Sequence, residues 1–169
     1  MFETKDLFLD KAKQSDWLAM YKNVWSQGES AKYMAWRITK NAEDAQIRIE
    51  KTIEFQKTHD TYLVYEKLSG ESIGFAGIEK VGPYTYQEAG ICIGPKFVGK
   101  GYGKQILIGI IQYCKIKLGA KEFIYFTREN NEASKGLAHS LGFQLIAAEE
   151  KIDERDGQPY VLQKYILKL

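Results

Sequence analysis

The clearest chemical signal is the run Ile91-Cys92-Ile93-Gly94-Pro95-Lys96-Phe97-Val98-Gly99-Lys100-Gly101-Tyr102-Gly103-Lys104. It reads as a strand, a loop, a set of glycines and then a helix. Glycines at 99, 101 and 103 remove Cβ atoms, so backbone N–H groups can close on an oxyanion. The helix that follows aims its positive dipole end at the same place. The chemistry this suits is a pyrophosphate cradle, although the same glycines also suit a turn with no ligand and are weakly specific alone. Two alternatives fail on spacing. A Walker loop requires GxxxxGK[ST], and here Lys104 is followed by Gln105. A dinucleotide fingerprint requires GxGxxG, whereas residues 99–104 read GxGxGK and follow a strand late in the chain, not a first βαβ unit.

The elements that must position this loop are readable from periodicity. Leu7-Phe8-Leu9 predicts a short first strand. Asp16 suits an N-cap for a helix with Leu18, Tyr21, Val24 and Trp25 on one face, closed by Gly28. Asn41 with Asp44 forms a variant capping box for a helix carrying Ala42, Ala45, Ile49 and Ile53. Tyr62–Tyr65, the turn Leu68-Ser69-Gly70-Glu71 and Ser72–Ile78 read as a hairpin, and Tyr86–Ile93 as the next strand. The helix after the glycines turns Ile106, Ile110, Tyr113 and Cys114 inward. Glu122–Phe126 is apolar enough to be buried on both faces. A short helix runs from about Glu132 to Leu141 and stops at Gly142, and two last strands flank Asp156-Gly157. The order β-α-α-β-β-β-α-β-α-β-β predicts an α/β fold with a mixed sheet and helices on both faces.

The whole chain supports that reading. Its 169 residues suit a single domain, 1–169, and no linker, repeat or low-complexity stretch interrupts them. Hydrophobic residues make up 44% and charged residues 27%, which is ordinary for a globular protein and far from a disordered one. A net charge of +2 provides no basic stripe, so no nucleic-acid partner is expected. Cys92 and Cys114 form no CxxC pair, which excludes a disulfide scaffold and a zinc ribbon and makes a reducing cytoplasm the default. Their simplest role is that of buried small hydrophobes. The longest aliphatic run, Ile106 to Ile111, is too short for a membrane span, and the charged start MFETKDLFLDKAK has no signal-peptide core.

Four motifs in order resemble the GNAT superfamily of N-acetyltransferases, over nearly the whole chain. Val98-Gly99-Lys100-Gly101-Tyr102-Gly103 resembles its [Q/R]-x-x-G-x-[G/A] acyl-CoA loop. Tyr33-Met34-Ala35-Trp36 resembles the "rymxw" segment of the ribosomal-protein N-terminal acetyltransferase (RimJ/RimL-like) branch. Glu88-Ala89-Gly90-Ile91 is similar to its "aeiGy" fourth strand, and Asn131-Glu132-Ala133-Ser134 with Leu141-Gly142-Phe143 to its "NxxS…lGF" ending. Val98 is a departure, standing where the family usually has Gln or Arg; the loop acts largely through backbone N–H groups, so weakened phosphate binding is expected. The resemblance implies the GNAT acyl-CoA N-acyltransferase fold. It also implies acetyl-CoA as the acyl donor, held by residues 98–104 (Val98, Gly99, Lys100, Gly101, Tyr102, Gly103, Lys104) with Asn131. Pantetheine would lie along Ile91, Cys92 and Ile93, in a splay between the fourth and fifth strands. Acetyl would pass directly to an amine, with no metal and no covalent intermediate.

Transfer to an amine needs a neutral nitrogen, an oxyanion partner and a proton for the leaving thiolate. Many members of the family use a Tyr four residues before the Gly of the GF pair, and that position is Ala138 here. By resemblance to the Rim-type enzymes the acid falls to Ser134, which otherwise is a polar residue in a helix's first turn. Asn131 also suits the N-cap of that helix. Glu88 is the candidate base or water-positioner, against a plain exposed strand carboxylate. Asp153 aligns loosely with an acid of a Rim-type enzyme, against a solvated turn residue. His139, a lone helical histidine, reads as surface or core. Trp25, Tyr33, Trp36 and Phe126 could wall an acceptor pocket or simply be core. The charges from Glu149 to Asp156 suit a solvated hairpin.

The acceptor expected first is a protein N-terminal α-amine, whose pKa near 8 leaves an appreciable neutral fraction. The alternatives are a small amine such as a polyamine or aminoglycoside, or a non-catalytic acyl-CoA-binding module. No membrane partner is expected, and the chain is read as a monomer or homodimer.

Overall fold

A computed structural model of the protein describes residues 2–169. The chain opens with β1 (Phe2–Glu3) and β2 (Leu7–Asp10), then α1 (Trp17–Met20), a π-turn over Tyr21–Trp25 and α2 (Gly28–Ala31). Next come α3 (Ala42–Phe55), β3 (Thr61–Glu66), β4 (Ser72–Lys80) and β5 (Thr85–Ile93). The second half holds α4 (Tyr102–Leu118), β6 (Glu122–Arg128), α5 (Glu132–Ser140), β7 (Gln144–Ile152) and β8 (Pro159–Lys168). The strand order is β1-β2-β3-β4-β5-β6-β8-β7, with β5 and β6 parallel and β6, β8 and β7 antiparallel to their neighbours. The expected α/β class and mixed sheet are thus observed, with β1 as an additional strand.

The first helix differs from the periodicity reading. Asp16 does not cap α1; its carboxylate accepts from the Lys13 N–H and from the Tyr65 hydroxyl, both at 2.7 Å. The helix widens into a π-turn that closes at Ser26, whose N–H and hydroxyl both reach the Tyr21 carbonyl at 3.1 and 2.7 Å. Gly28 then opens α2 instead of ending a helix, and Leu18 is exposed. By contrast α3 begins as read: the Asn41 side chain accepts from the Asp44 N–H at 2.8 Å, satisfying one of the helix's orphan donors.

The chain divides into two compact units. One runs to Glu79 and resumes over Ala89–Ile110; the other comprises Lys80–Glu88 and Ile111–Leu169. Strand alternation builds the first unit's core. Leu7 and Leu9 of β2 are fully buried, while Phe8 between them stacks on Tyr65, its partner in the ladder, at 4.7 Å. On the Phe8 side, Met20, Val24, Trp25, Ala45 and Ile49 pack with Leu63 and Cys92. Burying Met20, Val24, Ile49 and Leu63 is worth about 1.5–3 kcal/mol each. Close backbone approach explains Gly74 and Gly94: a Cβ on either would stand 2.2 Å from the Cys92 carbonyl oxygen or 2.1 Å from that of Asn23.

In the second unit β6 is nearly continuously buried and carries Phe123 and Tyr125, which pack against Phe143 at 6.4 and 5.7 Å. The ladder from β5 to β6 pairs Thr85, Tyr86 and Gln87 with Glu122, Phe123 and Ile124. The edge strand β7 is exposed along its whole length. Among the described residues no helix is long and apolar enough to cross a membrane.

Candidate functional site

The glycine loop lies in the first unit. β5 ends at Ile93, Gly94 donates its N–H to the Ile73 carbonyl at 2.8 Å, and a single 3-10 turn over Pro95–Phe97 leads to Val98. Gly99 and Gly101 adopt φ +82° and +76°, a region other L-residues rarely enter, and a Cβ at either would meet nothing within 4 Å. The space off both glycines is therefore open. It runs straight into α4, a helix of 17 residues whose first turn leaves backbone N–H groups unspent. Open space, unspent N–H groups and a helix N-terminus are what an oxyanion of pyrophosphate size requires. Val98 is 65% exposed and extended, so it presents backbone rather than a polar side chain.

Not every side chain of the loop faces that space. Tyr102 is buried and donates its hydroxyl to Glu66 Oε1 at 2.7 Å, and Lys100 Nζ reaches the same oxygen at 3.2 Å. The hydrogen bond from Tyr102 holds the Glu66 carboxyl below its ordinary pKa, and Glu66 in turn pushes the Tyr102 phenol up to about 12. This cluster fastens the loop to the end of β3. Lys104 is exposed, and Gln105 is anchored by Thr4 and Asp6, with Gln105 Nε2 donating to Asp6 Oδ2 at 2.7 Å. On β5, Ile91 and Ile93 are half-buried, while the Cys92 thiol is buried beside the Ser30 carbonyl at 3.6 Å and pushed up to about 12 by burial. Cys92 is thus a core residue, with its carbonyl packed against Gly74.

The first unit also holds an aromatic cleft of about 210 Å³. Trp25 and Trp36 line it with Phe55 and Phe75; Tyr33 is not among its walls, and Phe126 belongs to the second unit. Arg48 of α3 projects into the cleft, its guanidinium carbon 4.8 Å from the Trp25 ring centre and 4.5 Å from that of Trp36. The sequence signal for Arg48 was a charge sitting between the inward positions Ala45 and Ile49.

The remaining candidates lie in the second unit. Asn131 caps α5, its side chain accepting from the Ser134 N–H at 3.2 Å. Ser134 Oγ lies 2.7 Å from the Tyr125 hydroxyl. The sequence signal for Tyr125 is its place beside Phe123 at a spacing of two along β6. Burial pushes the Tyr125 phenol up to about 12, with Ser134 pulling it down and the charge of Glu88 pushing it up. Glu88 is half-buried on β5 and ionically felt by Tyr125.

Asp153 is no solvated turn residue. It is buried and bridged by Arg155 and Arg128, at 2.6 and 2.8 Å, while its Oδ1 also accepts from the Arg155 N–H at 3.0 Å. The two hydrogen bonds from Arg155, side chain then backbone, lead in holding its carboxyl far below the usual range, with Arg128 adding to them. A carboxylate clamped in this way is a poor proton donor, and its geometry suits locking the β7–β8 turn. His139 is exposed, its ring 5.8 Å from Tyr165. Among the described residues no group of three or more His, Cys, Asp or Glu could hold a metal ion.

Known proteins agree with this architecture. Residues 6–144 match the family described as Acetyltransferase (GNAT) domain. A curated relative, the N-alpha-acetyltransferase RimI of Mycobacterium tuberculosis, is 28% identical over 96 residues, 55% of this chain and 58% of that protein. The chain thus spans just over half the length of that relative. Among solved structures, the Microcin C7 self immunity acetyltransferase MccE in complex with acetyl-CoA and AMP has a TM-score of 0.81 at 20% identity, covering 98% of this chain and 93% of the other. A Salmonella typhimurium acetyl transferase described as modifying the N-terminal serine of ribosomal protein L7/L12 has a TM-score of 0.78 at 18% identity, covering 98% and 96%. At these identities the structural likeness speaks to the fold.

Proposed function

Because this chain belongs to the GNAT acetyltransferase family, we propose that it moves the acetyl group of acetyl-CoA directly to an amine, and that the amine is a protein N-terminal α-amine. The observation that carries the reading is the loop: two left-handed glycines with open space above them, between a strand end and the N-terminus of α4. Residues 98–104 hold the pyrophosphate through backbone N–H groups, with Lys104 as a nearby exposed cation. Ile91, Cys92 and Ile93 offer backbone to the pantetheine amides.

The amine nitrogen attacks the thioester carbonyl carbon, a C–N bond forms, the C–S bond breaks, and the amine's proton is lost. Glu88 takes that proton, directly or through a water. An α-amine with a pKa near 8 needs little help, since an appreciable fraction is already neutral. Ser134, braced by Tyr125, donates to the departing thiolate sulfur. Asn131 sets the start of α5 and so the height of Ser134. The name of the Mycobacterium relative and the description of the Salmonella protein both support an N-terminal α-amine as acceptor.

An acceptor screen tests the reading. N-terminal peptides, polyamines and aminoglycosides are each incubated with acetyl-CoA, and release of the CoA thiol is followed. Peptides with a free α-amine should turn over and their N-acetylated forms should not. Turnover confined to polyamines or aminoglycosides would overturn the choice of acceptor, and no turnover on any amine would overturn the activity.

A further inference from the structure

Arg48 has an unusual position for a guanidinium. It is half-buried in an apolar cleft, with its guanidinium carbon 4.8 and 4.5 Å from the ring centres of two indoles, and among the described residues its hydrogen bonds run from one nitrogen: Nη1 donates to Thr39 Oγ1 at 2.9 Å and to the Arg37 carbonyl at 3.4 Å. Among the described residues it makes no ion pair with a carboxylate. A guanidinium carries five N–H donors in a rigid fork. Withdrawing such a cation from water is costly unless it is paired. Burial accordingly pulls its pKa down to about 10, the direction of a cation short of a counter-charge.

The cleft around it is walled by Met20, Phe55, Phe75 and Ala89, with Thr52 and Gln56 as further polar groups. Ala89 lies on β5, the strand that leads into the glycine loop. An apolar pocket with one converging fork of donors is the arrangement that orients a small anionic group.

We infer that Arg48 reads a carboxylate on the acceptor, so that the amines this chain acetylates carry an acidic group close to the reacting nitrogen. The inference rests on the acetyl-transfer reading and adds the acceptor's chemistry to it. The guanidinium is intrinsically planar, so it can meet a carboxylate through two parallel hydrogen bonds, as Arg does and Lys does not. A polyamine or aminoglycoside brings positive charge toward Arg48 and is disfavoured.

The carboxylate can come from an acidic N-terminal side chain or from the main chain of a free amino acid, and two matched pairs separate these sources. The first pair is a Glu-initiated and a Gln-initiated peptide, identical otherwise and amidated at the C-terminus. The second is leucine and leucinamide. The full chain with acetyl-CoA should show kcat/KM about 10-fold or more higher for the charged member of one pair, the size expected for a charged hydrogen bond. Arg48→Gln should bring that ratio close to one while the neutral member is still turned over, and Arg48→Lys should retain part of it. A merely structural Arg48 would lower both members together.

Calorimetry of the N-acetylated products in the presence of CoA separates this inference from the activity. Tighter binding of the charged product by about 10-fold without turnover would uphold the anion site and defeat the transferase reading. Equal kinetics and equal binding within both pairs, or a ratio that survives Arg48→Gln, would overturn the inference. So would absence of both turnover and binding.

Discussion

The hydroxyl oxygens of Tyr125 and Ser134 stand 2.7 Å apart, one on β6 and the other in the first turn of α5. Burial keeps the phenol neutral far above physiological pH, so it retains a proton to share. When Tyr125 donates, the Ser134 hydrogen is free to point elsewhere and the serine becomes a better donor, because hydrogen bonds in a chain polarise one another. In the reaction proposed above, Tyr125 is thus a positioning residue, and the proton comes from Ser134.

Replacing Ser134 with Ala should lower kcat by about 10- to 100-fold, at or below the range of a general acid. Acetyl-CoA affinity should hardly change, since the hydroxyl matters mainly as charge develops on sulfur. Tyr125→Phe should cost less, about 2- to 10-fold, the worth of one hydrogen bond. In the Ser134→Ala background it should cost almost nothing, because the two act as a unit. Steady-state kinetics on the four proteins of the cycle decide it: an unchanged kcat for Ser134→Ala would leave Ser134 as a helix-start residue only.

Acetyl-CoA should stabilise the folded chain. At 100 times its dissociation constant the added stability is about 2.7 kcal/mol. That corresponds to a melting temperature higher by roughly 5–10 °C for a chain of this size. A thermal-shift series that stays flat up to millimolar acetyl-CoA would contradict the cradle.

Substitution at Gly101 should have two separable effects. Gly101→Val forces a β-branched residue into φ +76° and should cost about 1–2 kcal/mol of stability. It should also abolish the rise in melting temperature with acetyl-CoA. Gly101→Asn, a residue that tolerates the left-handed region, should recover much of the stability yet still fill the space above the loop. Gly103 lacks a positive φ, so Gly103→Val should block the ligand without that strain. Normal acetyl-CoA binding by all three variants would place the cradle elsewhere.

The clamp on Asp153 makes its contribution to stability dependent on pH. Its carboxyl titrates lower in the folded chain than in the unfolded one, so the contribution is full above the unfolded value of about 3.9 and fades as pH falls toward the folded value. Asp153→Asn should therefore melt below the parent at pH 7, and the gap should narrow as pH drops below about 4. Melting curves from pH 7 to 3 test this; a gap that stays constant would show that the ion pairs with Arg155 and Arg128 do not carry the effect.

Elements with strong local codes were legible in the sequence. Asn41 and Asn131 cap their helices as their spacing predicts, since a cap is settled within four residues. The strands read at 62–65 and 86–93 and the apolar run at 122–126 fall within β3, β5 and β6. Asp16 was misread because its carboxylate finds Tyr65, 49 residues away, and long-range partners leave no trace in periodicity. The loop's backbone form was legible in its glycines, whereas the inward turn of Tyr102 was not, since Glu66 belongs to a different strand. For the same reason Tyr125, the two indoles beside Arg48 and the two arginines on Asp153 appear only once the chain is folded.

The π-turn over Tyr21–Trp25 holds one residue more than an α-helical path needs, and that surplus makes the segment intolerant of a change in length. Deleting the exposed Lys22 would let the turn tighten into ordinary helix and swing every later side chain of the segment by about 100°. Trp25 would leave the cleft, and the Asn23 carbonyl would no longer lie against Gly94 at the root of the glycine loop. A lost codon at this point would therefore act like an active-site mutation, although the residue removed touches neither cleft nor loop.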